Sequence, residues 1–541
     1  MSVVDGFHSL ARRIVDDLLT ADPVTATWLG DHRFDDRLPD LSDVGALLAR
    51  IDDHVTELDA VDDVELGTSD LVDLEILRAA LLRSRFELGE LRGHAWDPMQ
   101  WNPGTALYLL TSREFAPVAD RAESARGRLS AIPDFLDEAR RQLEEMSRIH
   151  VETAIAQFEG TRALLDGPVR ELAGDDDITD RAIAHIGDFT DWLTDRLPES
   201  QRSPRLGAPV YAATLWHSLD DDTSAESLLE DAQEHLDAVN DSMREAAAKY
   251  LGQSSGDDDT VRGALAEIAR SAPVTDATVL GLMEAALSRT TAFVREHDLV
   301  EIPDLDVRVI EMPEIHRGVA VAYCDAPGPL EKTILPTYVA VAPTPSSWDA
   351  ERIDSFYREY NGMQLNNLTV HEAMPGHVLQ LAAAQRLELP TPVRRFGRSG
   401  VFIEGWAVYA EELMVARGYS PDTDPRSALA MQLQQLKMLA RGVINAMLDV
   451  LVHAHELTES EGLALMMDRG FQEEGEAVGK WRRALLTAGQ LPTYYVGYRA
   501  MSSISQDLRV LHPDWSDRQV HDLMLAHGSP APRHLRTLIG I

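Results

Sequence analysis

The run Thr369-Val370-His371-Glu372-Ala373-Met374-Pro375-Gly376-His377 gathers several chemically capable side chains into one short segment. Neutral imidazoles are good zinc ligands, and a carboxylate beside the first of them can take a proton from water on the metal. The spacing departs from the H-E-x-x-H pattern, whose histidines at i and i+4 share one face of a helix. His371 and His377 are six positions apart, roughly 240° around an ideal helix. An unbroken helix points them in different directions. Proline interrupts the backbone ladder and glycine admits unusual dihedrals, so a break at Pro375-Gly376 can return His377 to His371. Taken alone, the segment fits equally a helix that ends before Pro375 and carries two unrelated histidines.

A second segment, Gly400-Val-Phe-Ile-Glu404-Gly-Trp-Ala-Val-Tyr-Ala-Glu411-Glu412, tips the balance. Glu404 stands in an apolar, helix-forming run, where a carboxylate is costly without a partner. A metal is such a partner. His371, His377 and Glu404 make three protein ligands and leave a fourth position open, the arrangement of a catalytic rather than a structural zinc. The expectation is about one zinc per chain. Glu411 shares the Glu404 helix face and can accept a hydrogen bond from a ligand imidazole; a solvated helix face explains it equally well.

These segments, with "GQLPTYYVG" at 489–497, "FYREYNGMQLNNLTVHEAMPGH" before and through the motif, and "DPVTATWLGDHRFDDRLPDLSD" near the N-terminus, resemble the DUF885 family, a group of bacterial proteins related to the gluzincin metallopeptidases. The resemblance spans most of the chain. It implies a mainly α-helical shell around a deep cleft, similar to the zincin-type oligopeptidases. It implies His371, His377 and Glu404 as ligands of one Zn²⁺, and Glu372 as the catalytic base. The family pattern often continues with a further histidine where this chain has Val378, which leaves His377 as the second ligand. Tyrosine or histidine donors stabilise the oxyanion in such enzymes. Matching Gln490 and Gly497 to the pattern selects Tyr494 for that role, with Tyr498 as runner-up and His527 as a loop donor. Arg441 also resembles a family position, and its planar fork suits a substrate carboxylate. Asp449 and His453, at i and i+4, are expected to pair with each other.

The elements that must position these residues read as helices. Apolar residues recur at three- and four-residue intervals over 6–20, 69–90, 123–147, 222–250, 274–297, 349–373, 400–417, 425–456 and 491–509. Ser224 and the Thr458/Glu461 pair look like helix caps. The exception is 306–342, where three short β-rich runs, 307–311, 318–323 and 334–341, are separated by Pro and Gly. They predict a small sheet just before the motif helix. By resemblance, an edge strand there holds extended substrate; a sheet that only packs against helices is the plainer alternative. The polar break Gly252–Asp259 reads as a loop between helices. With no convincing linker, the expectation is one DUF885-like domain over 1–541, an N-terminal helical half to about residue 300 followed by a catalytic half.

The chain has 541 residues and a net charge of −40. That charge argues against nucleic acid and against anionic membrane surfaces as partners. Its four lysines, Lys249, Lys332, Lys437 and Lys480, are far outnumbered by arginine, which fits a high-GC genome or salt adaptation. The single cysteine, Cys324, excludes an intramolecular disulfide and reads as a small packing residue. No basic leader and no long apolar run is apparent, so the expectation is a cytoplasmic protein without a membrane span. The leading expectation is a zinc peptidase acting on short peptides. A metal hydrolase of another amide or ester shares every one of these residues. A catalytically silent helical binding protein is the reading from outside enzymology, and the intact ligand set argues against it. Oligomeric state leaves no mark in the sequence.

Overall fold

Helix dominates because the apolar periodicity is satisfied almost everywhere, and among the described residues one three-stranded sheet interrupts it. The computed structural model describes residues 2–312, 321–345 and 348–541. Contacts divide the chain into two compact units, and the first break along the chain falls at Pro204/Arg205. One unit comprises Met1–Pro204, Pro327–Leu335 and Glu388–Gly397; the other comprises Arg205–Ala326, Pro336–Leu387 and Arg398–Ile541.

The first unit is all helical and packs around Trp101, Ile132, Leu136, Phe158 and Phe189. Its two later segments are tied in by charge. Arg394 donates to Asp73 at 2.8 Å, both fully buried, and Thr391 donates to the same carboxylate. His32 bridges Asp35 and Glu331 while stacking on Phe115.

The second unit holds every candidate site residue. Its helices relevant to the site are α1 (Val279–Glu296), α2 (Ala350–Glu359), α3 (Gly362–Glu372), α4 (His377–Gln385), α5 (Gly400–Ala416), α6 (Pro425–Ala454), α7 (Glu474–Leu486) and α8 (Pro492–Leu511). The single helix expected over 349–373 is two, α2 and α3. The chain leaves α2 at Tyr360, and the Asn361 side chain caps α3 by accepting from the N–H groups of Met363 and Gln364. Ser224 and the Thr458/Glu461 box cap their helices as expected, and Gly252 ends a helix in the left-handed conformation.

The sheet contains β1 (Val307–Glu311), β2 (Ala322–Asp325) and β3 (Thr337–Val341) in the order β1-β3-β2. β3 runs parallel to β1 and antiparallel to β2, with Cys324 opposite Val339. Of the expected middle strand, residues 318–320 lie outside the described residues. Among the described residues the strand covers Ala322–Asp325, and β2 lies on an edge of the sheet.

Two helix crossings fix the site. α5 and α8 meet at Gly405 and Gly497, where a Cβ on Gly405 would lie 2.3 Å from the Gly497 carbonyl carbon. Only glycines let two backbones approach this closely. α3 packs against α1, α5 and α6, and its exposed flank is small: Gln364, Leu365, Asn366, Asn367, Leu368, Thr369, Val370 and His371 are all buried.

Candidate metal centre

α3 ends where the ladder must fail. The Ala373 backbone leaves helical values (φ −124°, ψ −87°), the Met374–Pro375 peptide is cis, and α4 begins at His377. The Gly376 N–H turns back to the Val370 carbonyl at 2.9 Å. A Cβ at Gly376 would stand 1.9 Å from the His371 carbonyl oxygen, so no other residue fits this turn. The Trp406 indole N–H, from α5, donates to the Pro375 carbonyl at 2.8 Å and fastens the turn to the helix that carries Glu404. The break expected from Pro375 and Gly376 is therefore present. It brings the rings of His371 and His377 to 4.7 Å, nearly perpendicular.

Glu404 completes the group. Its Oε2 is 3.5 Å from Nε2 of His371 and 3.5 Å from Nε2 of His377. One ligand atom from each of the three residues lies within 4.8 Å of the others. These separations are long for hydrogen bonds, and Glu404 Oε2 has no hydrogen-bond partner although it is buried. They do fit a shared ion, because ligands about 2.0–2.1 Å from a tetrahedral zinc stand roughly 3.3 Å apart. The donor set, two imidazoles and a carboxylate, suits zinc as well.

The charges around this point are coupled. Burial alone would lift the Glu404 carboxyl, but the two imidazoles hold it well below the usual carboxylate range. Burial alone would depress His371, yet Glu404 and Glu411 on either side hold it well above the ordinary imidazole value. Glu411 accepts from His371 Nδ1 at 2.7 Å, and its other oxygen accepts from the Asn367 amide. The imidazole is thus oriented with Nε2 toward Glu404 and Nδ1 toward a buried carboxylate. Glu411 is not on a solvated face; it is 1 % exposed.

Glu372 faces another way. One of its oxygens accepts the Cys324 backbone N–H from β2 at 3.0 Å. Burial raises its carboxyl pKa, partly offset by His371 and His377. Tyr494, on α8, places its ring 6.5 Å from that of His371, and its hydroxyl accepts from Gln490 Nε2 at 3.4 Å. Burial and the nearby Glu404 raise the phenol pKa, so Tyr494 is a protonated donor.

Other expected residues lie elsewhere. Tyr498 bonds to Glu412 and stacks on His235. Arg441 directs its fork to Glu476 and the Tyr360 hydroxyl, so its charge is already matched inside the fold. Asp449 and His453 do not pair. Asp449 accepts from Tyr211 at 3.0 Å and from the Gly489 N–H at 2.8 Å, whereas His453 Nε2 faces the carbonyls of Ala484 and Thr487. Each side chain follows its nearer loop or helix rather than the other. His527 is half-buried, in a loop whose Ser529 binds Gln380 of α4 and whose Ser529 carbonyl accepts from Ser399, the cap of α5. Val378, where a further histidine was considered, is wholly buried core. The sequence reading missed Asn367, Gln490 and the Cys324 N–H. Asn367 was legible in principle, standing one turn before His371; a backbone donor from a distant strand leaves no sequence signal.

Among the described residues no helix is long and apolar enough to cross a membrane. No curated protein matches the chain. Two solved structures share its fold over essentially the full length. A candidate lipoprotein of unknown function from Shewanella oneidensis is 26% identical, with a TM-score of 0.81 over 99% of this chain and 100% of its own. A candidate lipoprotein from Colwellia psychrerythraea is 16% identical, with a TM-score of 0.78 over 100% and 99%. An M32 carboxypeptidase from Deinococcus radiodurans R1 is a distant similarity, 13% identical, TM-score 0.36, over 96% of this chain and 95% of its own. The lipoprotein descriptions overturn the cytoplasmic expectation, since such proteins are held at a membrane rather than free in the cytoplasm. A family model described as a bacterial protein of unknown function, DUF885, matches residues 23–539, and the chain belongs to that family.

Proposed function

We propose that this protein is a zinc-dependent peptidase of short peptides, related to the gluzincin metallopeptidases. The observation that carries the reading is the convergence of His371, His377 and Glu404 at zinc-ligand spacing, with a separate carboxylate, Glu372, fixed beside them. A zinc ion bound there supplies a Lewis acid and lowers the pKa of water.

The remaining chemistry belongs to the chain. Cys324 holds one oxygen of Glu372 and leaves the other to accept a proton from the attacking water. The raised pKa of this carboxyl suits a group that must keep the proton briefly and hand it to the departing amine. Tyr494, kept protonated and braced by Gln490, is a donor for the carbonyl oxygen as negative charge develops on it. Glu411 and Asn367 hold His371 in one orientation and tautomer. The lipoprotein relatives favour a setting outside the cytoplasm for this activity.

The test pairs two isosteric variants, assayed for bound zinc and for hydrolysis of a mixed short-peptide library. Glu372→Gln is expected to keep its zinc and lose about 10²–10⁴-fold in turnover, the usual cost of removing a general base. Glu404→Gln is expected to lose zinc and to recover partly in excess zinc. Wild-type turnover in Glu372→Gln, or undiminished zinc affinity in Glu404→Gln, refutes the corresponding role. No hydrolysis of any peptide by the zinc-loaded wild type refutes the peptidase reading.

A further inference from the structure

α6 and α7 bury a group of charges that the proposed chemistry leaves unused. Lys437 Nζ donates to Glu359 at 2.8 Å, and the same oxygen accepts the Glu473 N–H at 3.0 Å. Arg441 donates to Glu476 and to the Tyr360 hydroxyl, which itself donates to Glu476 at 3.2 Å. These two pairs balance. Lys480 Nζ stands 3.9 Å from the same Glu476 oxygen that Arg441 holds, so it shares a carboxylate that is already engaged. Arg483, one turn further along α7, donates to Gln490 Oε1 at 2.7 Å, and no ion pair to it is found among the described residues. Two other acids are close by. Glu473 is paired with Arg358 at 2.9 Å, and burial lifts the Asp449 carboxyl to about 7 against the pull of Arg483, so it offsets that cation only in part. Lys480 and Arg483 therefore form a cationic surplus in a largely buried setting, which is costly without a counter-charge. Burial together with Arg441 and Arg483 pushes the Lys480 ammonium down to about 7, as expected for a cation short of anions.

The surplus adjoins the candidate metal centre. Gln490 links Arg483 to the Tyr494 hydroxyl, and the Tyr494 ring lies 6.5 Å from that of His371. Gln364 is two turns before His371 on the same face of α3; it is 2 % exposed, and both of its amide atoms are buried without partners. Gln364 thus offers an unsatisfied amide on the face of α3 that carries His371.

We propose that Lys480 and Arg483 receive the C-terminal carboxylate of the peptide substrate, so that the enzyme releases a short fragment from the C-terminus. The assignment rests on the peptidase reading above. The substrate residues beyond the scissile bond would bridge from the metal centre, past Tyr494 and Gln490, to the pair. In the reaction the C–N bond breaks, the water oxygen joins the carbonyl carbon, and a water proton goes to the released amine. The other product keeps the new carboxylate. A glutamate side chain offers the same anion, so the test must distinguish the two.

The experiment uses zinc-loaded Glu372→Gln protein, which holds ligand without turnover, and isothermal titration. The probes are N-acetyl-Ala-Ala-Ala as the free acid, the same peptide as its C-terminal amide, and N-acetyl-Ala-Ala-Glu amide. The acid is expected to bind roughly 10- to 100-fold more tightly than the amide, the size of a charged hydrogen-bond contribution. Adding Arg483→Gln or Lys480→Met should remove most of that preference, and Arg483→Lys should restore part of it. Equal binding of acid and amide overturns the proposal, as does absence of binding by either, and both outcomes are read without the substituted pair. A preference that survives both substitutions overturns it too. Equally tight binding of the glutamyl amide overturns the terminal assignment. Hydrolysis by the wild type is measured separately: if no peptide is cleaved while the acid preference holds, the peptidase reading falls and the carboxylate site stands.

Discussion

His371 is the most constrained side chain in the candidate centre. One ring nitrogen faces Glu404 and the other faces Glu411, which Asn367 holds in turn. Such outer partners fix the ring and raise its basicity, and their loss typically costs 10–100-fold in metal affinity. Glu411→Gln and Asn367→Ala are therefore expected to weaken zinc binding by about 10–100-fold while the helical circular dichroism is unchanged. Competition with a fluorescent zinc chelator measures it. Unaltered affinity in both variants would mean that Glu411 is merely a buried carboxylate with a convenient neighbour. At this scale the convergence of the three candidate ligands was readable because their chemistry is unusual: two histidines around a Pro-Gly break, and a glutamate in an apolar helix. Arg441 misled because a fork suited to a substrate carboxylate suits an internal one equally, and nothing in the sequence announces Glu476 as its partner.

At the scale of elements, the centre depends on helices that cross closely. Gly405 follows the proposed ligand Glu404, and Gly497 lies three residues after Tyr494, with the two backbones in contact. A methyl group there must push α5 and α8 apart. Gly405→Ala is expected to lower stability by about 1–3 kcal/mol or more, and to weaken zinc binding although no ligand is altered. Chemical denaturation and zinc titration check both effects, and a variant normal in both would show that the crossing is pliable. α6 supplies a pH-dependent case. Burial first, against pulls from the Gly489 N–H and the Tyr211 hydroxyl, sets the Asp449 carboxyl at about 7. A carboxyl whose folded pKa exceeds its unfolded value, about 3.9, contributes its full stability below that lower value. The contribution is lost as pH rises through the folded pKa. Both donors reach one oxygen of Asp449, and its other oxygen has no partner. Asp449→Asn can keep both bonds, so it should gain on wild type progressively from pH 4 to pH 7, read as melting temperature. A constant difference across that range would contradict the assignment. The long helices and the position of the sheet were legible because periods of 3.6 and 2 are local signals. The division of 349–373 at Asn361 was not, since an asparagine cap inside an apolar pattern reads as one more polar position.

For the whole molecule, the sequence conveyed a helical chain with one small sheet and a family likeness from end to end, and the family match and two full-length structural relatives agree. Location was misjudged, because it was inferred from the lack of a basic leader and of a long apolar run, and such an absence does not say where a protein resides. Tertiary partnerships were the other blind spot: the Cys324 N–H reaches Glu372 across 48 positions of chain, and such pairings are decided by packing alone. The proposed chemistry turns on a single ion at one point of the second unit. Crystals of zinc-reconstituted protein, with anomalous diffraction recorded on both sides of the zinc absorption edge, address it most directly. One strong peak is expected, bonded to His371, His377 and Glu404, with Glu372 near the ion but not bonded to it. Absence of a peak there, or zinc held by other residues while these three keep their present separations, would contradict it.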